Sequence, residues 1–317
     1  MLDEIDRKIL FELDLNCRAT SKEIGERLLV SRQTVDYRIT KLCDSGTIEN
    51  FHACFSLSKL GYRLYKVYFK LRNLPNQKQA LRDYLYGLGN VYWIGESSGS
   101  WDLLIGLFYK DEAELFPITN ELNFRFSDLI VEYNGHSMIR IFQYPKMFLL
   151  SKPYPAKEYV GAVSKAKVDS LDLKIIAQLV HDARCPITTL GERLNTSPQI
   201  IKRRVQKLET QGMIFQYRVG VNLKKIGLQL YKAIITLNRY TAADHQLFFE
   251  FISQIPALQY FVRNIWTIEL ELNVQNYEEY EKIIDTIRLN FPNLIGSLDS
   301  LLLDSDEWTL AFSDLLS

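Results

Sequence analysis

Several common signals are missing from these 317 residues. No apolar run reaches the ~18 residues needed to cross a bilayer, so no membrane partner is expected. The opening Met1-Leu2-Asp3-Glu4-Ile5-Asp6 is acidic and amphipathic. It lacks the basic start and apolar stretch of a signal peptide, which points to a cytoplasmic protein. The four cysteines, Cys17, Cys43, Cys54 and Cys185, form no CxxC pair. Reduced, packed thiols are expected rather than disulfides or a zinc site. There is no glycine-rich phosphate loop and no nucleophile elbow. The four histidines, His52, His136, His181 and His245, sit in no motif. These absences argue against an enzyme and against a cofactor. Net charge is also lacking, since 38 basic residues meet 38 acidic ones.

What is present is uneven charge. Residues 168–218 hold eight basic and five acidic residues, a net +3. Residues 146–167 hold five lysines and one glutamate, a net +4. Residues 1–50 are net −2, and residues 228–317 are net −8. A neutral total therefore hides a basic middle and an acidic tail. A local basic patch attracts phosphates whatever the total charge. With 47% hydrophobic residues, the chain can also bury large cores.

The chain is a duplication. Shifted by 166 residues, Asp3–Lys66 matches the second half at 23 of 64 positions without a gap. Chance would give about one in seventeen. Asp3, Asp6, Lys8 and Ile9 pair with Asp169, Asp172, Lys174 and Ile175. Gly25-Glu26-Arg27-Leu28 pairs with Gly191-Glu192-Arg193-Leu194, and Gly46 with Gly212. At a shift of 165, Trp101 matches Trp266 and Phe126 matches Phe291. Two copies are too few for a solenoid and suggest a covalent pseudo-dimer.

Each copy opens with three amphipathic helices. Asp3 caps a first helix that buries Ile5, Ile9, Leu10 and Leu13. A second covers Ser21–Leu29. Ser31 caps a third, with Val35, Ile39 and Leu42 inward, and Gly46 ends it in a left-handed conformation. Thr47–Phe55 reads as extended, a wing. The second copy repeats this, with Asp169 and Ser197 as caps, Ile201, Val205 and Leu208 inward, and Gly212 as the stop. This is a helix-turn-helix pattern. With the apolar stripe buried, Arg32, Gln33, Thr34, Asp36, Tyr37 and Lys41 face out. So do Gln199, Ile200, Lys202, Arg203, Gln206 and Lys207. Arg and Gln near a helix start can reach base edges, and Lys and Arg further along can meet phosphates. The candidate DNA contacts are therefore Arg32, Gln33, Thr34, Tyr37, Lys41, Gln199, Lys202, Arg203, Gln206 and Lys207. Arg38 and Arg204 border the apolar stripe and read as internal ion-pair partners.

The rest of each copy reads βαββαβ, a ferredoxin-like α+β sheet with both helices on one face. The expected domains are winged helix-turn-helix units at 1–61 and 168–227. Ferredoxin-like sensing and assembly domains are expected at 62–145 and 228–317. A linker is expected at 146–167, where prolines and solvated lysines suit one. Its Met147-Phe148-Leu149-Leu150 should pack on the first copy.

The stretches Leu2–Leu10, Ile24–Leu28, Ser31…Val35…Arg38…Leu42 and Gly46-Thr47-Ile48 resemble the Lrp/AsnC family of bacterial and archaeal transcription regulators. So do Leu171–Ile176 and Val205–Ile214 in the second copy. The resemblance covers nearly the whole chain and is stronger in the helical units. It implies sequence-preferring binding to double-stranded DNA and assembly through the βαββαβ domains as dimers or larger rings. It also implies tuning by an amino-acid effector. The family's effector loop looks like Gly99-Ser100-Trp101-Asp102, where Gly99 would admit a carboxylate and Asp102 would meet an amine. The second copy has Asn264-Ile265-Trp266-Thr267 there, which makes it the degenerate half. Leu29 also departs from the family, standing where such turns have glycine.

Two other readings compete. One is a fused relative of the siroheme decarboxylases. The other is a sensor or partner-binding protein whose winged helices no longer bind DNA. The basic second head is expected to grip DNA more strongly than the acidic first.

Overall fold

The Asp3 carboxylate accepts a hydrogen bond from the Asp6 amide at 2.8 Å, and helix α1 (Glu4–Leu15) begins there. The computed structural model describes residues 2–305, 307–309 and 311–316. Helix α2 (Ser21–Leu28) starts from a reciprocal capping box between Thr20 and Glu23, and α3 (Arg32–Asp44) from Ser31. Each cap satisfies amides that the helix leaves open. Strand β1 (Ile48–Phe55) follows. The first ferredoxin-like unit comprises β2 (Arg63–Leu71), α4 (Pro75–Tyr86), β3 (Val91–Gly99), β4 (Leu103–Tyr109), α5 (Leu115–Arg125) and β5 (Ile130–Gln143). A short strand β6 (Lys157–Val160) leads into the second copy.

That copy repeats the order. Its helical head is α6 (Ser170–His181), α7 (Ile187–Arg193) and α8 (Pro198–Thr210), then strand β7 (Ile214–Val221). Its sheet unit is β8 (Gln229–Leu237), α9 (Ala242–Ile252), β9 (Leu258–Asn264), β10 (Thr267–Val274), α10 (Tyr277–Asn290) and β11 (Ile295–Leu303). A short strand β12 (Glu307–Trp308), antiparallel to β3, and helix α11 (Ala311–Leu316) follow.

The α+β class and the βαββαβ order expected from the sequence are both present. The two sheets run β5-β2-β4-β3 and β11-β8-β10-β9, all antiparallel. They do not remain separate. Strand β5 pairs with β9, and β3 pairs with β11 through Gly99↔Leu301, Ser98↔Leu302 and Ser97↔Leu303. These two seams close the eight strands into a barrel, so the copies form the expected pseudo-dimer.

Alternation along the strands sorts the side chains into an outer and an inner layer. On β2, Val67 and Phe69 pack outward with Leu81 and Leu85 of α4 and Leu122 of α5. On β8, Ala233 and Ile235 pack with Phe248 of α9 and Ile284 of α10. Lys66 and Lys232, one residue before Val67 and Ala233, are related by the repeat, and both are buried. Glu269 accepts from Lys66 at 2.8 Å, Lys232 at 3.1 Å and Asn264 at 2.7 Å, and also from the Tyr68 hydroxyl. Glu271 meets Lys232 at 2.7 Å. Burial opposes ionisation of Glu269, yet Lys66 and Lys232 outweigh it and hold the carboxyl far below its ordinary range. Two lysines and two glutamates thus neutralise each other inside the barrel.

Three expectations need correction. The strand expected as a wing, β1, does not fold back on its own head. It lies antiparallel to β7 of the other copy, with Phe51↔Val219 and Ala53↔Tyr217. Each strand thereby finds a partner for its backbone donors and acceptors in its own duplicate. The stretch 146–167 is also more than a linker. Phe148, Leu149 and Leu150 pack on the core of the first head as expected, but Met147 enters the core of the second sheet unit, and β6 pairs with β5. Lys146, expected in solvent, is buried. Its Nζ donates to Asp14 at 2.7 Å and to the Val219 carbonyl at 2.9 Å. The terminal β12 and α11 were not anticipated at all.

Candidate nucleic-acid interface

The turn between the second and third helix of each head is sterically fixed. A Cβ on Gly25 would lie 2.7 Å from the Val30 carbonyl oxygen, and one on Gly191 would lie 2.6 Å from that of Thr196. Glycine is needed for this close approach. Leu29 and Asn195 take the left-handed conformation in these turns, at φ 57° and 48°. Ser31 Oγ then accepts from the Thr34 amide at 3.0 Å, and Ser197 Oγ from the Ile200 amide at 3.4 Å.

Burial of Val35, Ile39 and Leu42 turns the opposite face of α3 to solvent. Arg32, Gln33, Asp36, Tyr37 and Lys41 are exposed there. Thr34 is half-buried, with its hydroxyl 2.9 Å from that of Ser31. On α8, Ile201, Val205 and Leu208 are buried, and Gln199, Ile200, Lys202, Arg203 and Gln206 are exposed. Lys207 is half-buried and donates to Asp172 at 2.8 Å. The structure therefore brings each set onto one outward face, with Thr34 and Lys207 at its margins. The faces differ in charge. Arg32 is offset by Asp36 at 3.4 Å, whereas Lys202 and Arg203 make no ion pair among the described residues.

Behind these faces, Arg38 reaches Asp3 at 2.6 Å and Asp6 at 2.8 Å. Arg204 reaches Asp169 and, at 3.0 Å, Asp172. Both arginines are the internal partners expected. Reading the sequence missed a further device. Lys225 of the second copy donates to the Ser45 carbonyl at the end of α3, and Lys59 of the first to the Gln211 carbonyl at the end of α8. Carbonyls at a helix C-terminus carry partial negative charge and lack partners. Each copy therefore caps the other's third helix. Gly46 and Gly212, at φ +66° and +63°, end these helices as expected and leave room for the lysines. The pairing of Lys59 with Lys225 in the internal repeat was the available signal.

Gly99 and Asp102 lie together at one end of the barrel, but their polar groups are in use. Asp102 Oδ2 accepts from the Leu71 amide at 2.7 Å and faces Lys70 at 3.5 Å. The Gly99 carbonyl accepts from Lys70 at 3.1 Å, and a Cβ there would lie 2.6 Å from the Ser300 carbonyl oxygen. Inside the barrel, a cavity of about 100 Å³ is lined by residues that include Lys66, Glu271, Trp93, Tyr159 and Tyr260. Among the described residues, no cluster of His, Cys, Asp or Glu could hold a metal, and no helix is long and apolar enough to cross a membrane.

Two such heads on paired sheets define a protein of the winged helix-turn-helix class. Residues 2–49 match the model for winged helix-turn-helix DNA-binding, and residues 168–209 match that for the AsnC-type helix-turn-helix domain. The chain is 31% identical over 121 residues to the transcriptional regulator LrpC of Bacillus subtilis, covering 38% of this chain and 83% of that one. It is 32% identical to the regulator Ptr1 of Methanocaldococcus jannaschii, covering 38% and 86%. The chain belongs to the Lrp/AsnC family, as two modules on one polypeptide. A solved structure of the siroheme decarboxylase NirDL covers 99% of this chain and 97% of its own, at a TM-score of 0.64. At 12% identity this likeness establishes the shared fold alone.

Proposed function

We propose that this chain is a cytoplasmic regulator that binds double-stranded DNA with two unequal heads on one polypeptide. The supporting observation is the pair of serine-capped helices whose polar faces stand free while Lys59 and Lys225 hold their far ends. Arg32, Gln33 and Tyr37 would read bases at one half-site. Gln199 and Gln206 would read another, with Lys202 and Arg203 on phosphates. Because the two reading sets differ, the preferred site is asymmetric rather than palindromic. Fragments selected from a source genome should bind with nanomolar-range affinity at physiological salt. Binding should weaken steeply as salt rises. A protein that captures no duplex at 50 mM salt would be the partner-binding alternative instead.

An amino-acid effector at Gly99 and Asp102 has less support, because that carboxylate already serves Leu71 and Lys70. The barrel cavity lends the enzyme reading no support. Sites for compounds of drug size or above measure about 300–1,000 Å³, whereas the barrel cavity is about 100 Å³ and floored by its own ion pairs. Titration with an iron porphyrin should leave the porphyrin absorbance band unshifted. A saturable shift would favour the decarboxylase reading.

A further inference from the structure

The second head carries a basic groove beside its third helix. It measures about 570 Å³ and is lined by Lys165, Ala166, Lys167, Val168, Asp169 and Lys207. Its two linker lysines are exposed but not on a loose tether. The Ser164 amide donates to the Ser58 carbonyl at 2.9 Å, and the Ala166 amide to the Lys59 carbonyl at 2.8 Å. Lys165 itself bridges Leu60 in antiparallel register. The backbone that presents both ammonium groups is therefore held against the first copy before any ligand arrives.

The local charges leave these two lysines in surplus. Asp169 is taken by Arg204, and Asp172 by Arg204 and Lys207. Lys165 and Lys167 make no ion pair among the described residues. On α8, a spacing of four residues puts Lys207 one turn beyond the exposed Arg203, on the same side of the helix. A basic band thus runs from the reading face, through Lys207, into the linker.

We propose that this groove binds the phosphates of the DNA strand flanking the half-site under the second head. The inference rests on the DNA reading above and adds to it a second contact region outside the helix-turn-helix. Phosphate contacts position a protein without reading sequence. The groove therefore sets affinity and orientation, and the helix faces keep the base preference.

The test uses the full chain, a labelled duplex carrying a selected site, and affinities measured from 50 to 300 mM KCl. Each neutralised phosphate contributes about 0.9 to the slope of log affinity against log salt. Lys165→Gln/Lys167→Gln should flatten that slope by about 1.8 and leave the ranking of mutated sites unchanged. A control, Arg72→Gln/Arg239→Gln, removes two exposed charges from the barrel domains and should leave the slope as it was. Hydroxyl-radical footprints should extend further on the second head's side and retreat in the linker variant. Tight binding by the native chain, with an unaltered slope and footprint in the variant, would overturn the groove alone. No duplex binding by the native chain would sink the DNA reading and the groove together.

Discussion

The two heads share a plan but are fastened by opposite means. In the first, Asp14 at the end of α1 is fully buried between Arg218 and Lys146. Arg218 donates Nε and Nη2 to it at 2.9 and 2.6 Å. In the second, the repeat puts Val180 where Asp14 stands and His52 where Arg218 stands. There α6 packs instead against α11, with Phe312 and Leu316 buried in the same core as Ile176 and Leu179. One duplicate is held by a charge triad and the other by apolar burial. The lesson is that a duplicated interface needs only to be filled and neutral. Which chemistry fills it is free to diverge once both halves lie on one chain.

The largest expected effect comes from breaking the triad. Asp14→Ala leaves Arg218 and Lys146 buried without their anion, and such breaks cost about 3–5 kcal/mol. A urea titration should show the midpoint falling accordingly. Val180→Ala, which removes two methyl-sized groups, should cost about 1–2 kcal/mol. Equal losses would contradict the contrast. The triad also titrates. Burial raises the Asp14 pKa, but Arg218 and Lys146 outweigh it and lower the carboxyl to about 2. A depressed folded-state value stabilises the fold above the unfolded value and loses that effect as pH falls. About 2 kcal/mol should therefore be intact above about pH 5 and vanish as pH falls towards 2. In Asp14→Asn this component of the pH profile should disappear.

A second expected effect separates the heads in function. Lys202→Glu/Arg203→Glu should weaken duplex binding by about tenfold more than Arg32→Glu/Lys41→Glu, because Asp36 already offsets Arg32. Competition assays at one salt concentration read this directly. If the first-head variant proved the more damaging, the assignment of the stronger grip to the second head would be wrong.

The contrast also marks what the sequence can carry. Helix caps, glycine stops and apolar periodicity are local, so the head helices and the βαββαβ order were legible with ends within a few residues. The outward faces followed from the buried stripe. Barrel closure was not legible, because the β5–β9 and β3–β11 seams join strands more than a hundred residues apart. A clue did exist in Lys66 and Lys232. Each interrupts an apolar strand at the same point of the repeat, and Glu269 and Glu271 lie two apart on one strand face. Buried charge of both signs in matching strands implies that the strands share an interior. Lys146 was misread for a related reason, since its partner Asp14 lies 132 residues away. The wing was misread because pairing with a duplicate looks, in sequence, like any extended segment.

The smallest expected effect tests the turns. Leu29 holds φ 57°, ψ 40° with its side chain 92% exposed, so it contributes almost no burial to offset its backbone. A left-handed conformation costs an ordinary L-residue about 1–2 kcal/mol, and glycine returns part of that as unfolded-state entropy. Leu29→Gly should therefore stabilise the chain by about 0.5–1 kcal/mol, read as a rise in the urea midpoint at constant slope. Asn195 sits at φ 48° in the matching turn, but asparagine tolerates this region. Asn195→Gly should change stability by less than about 0.5 kcal/mol. Such a difference would locate the strain in the first head alone. A loss of stability in Leu29→Gly would mean that the leucine side chain makes a contact worth more than the backbone strain it imposes.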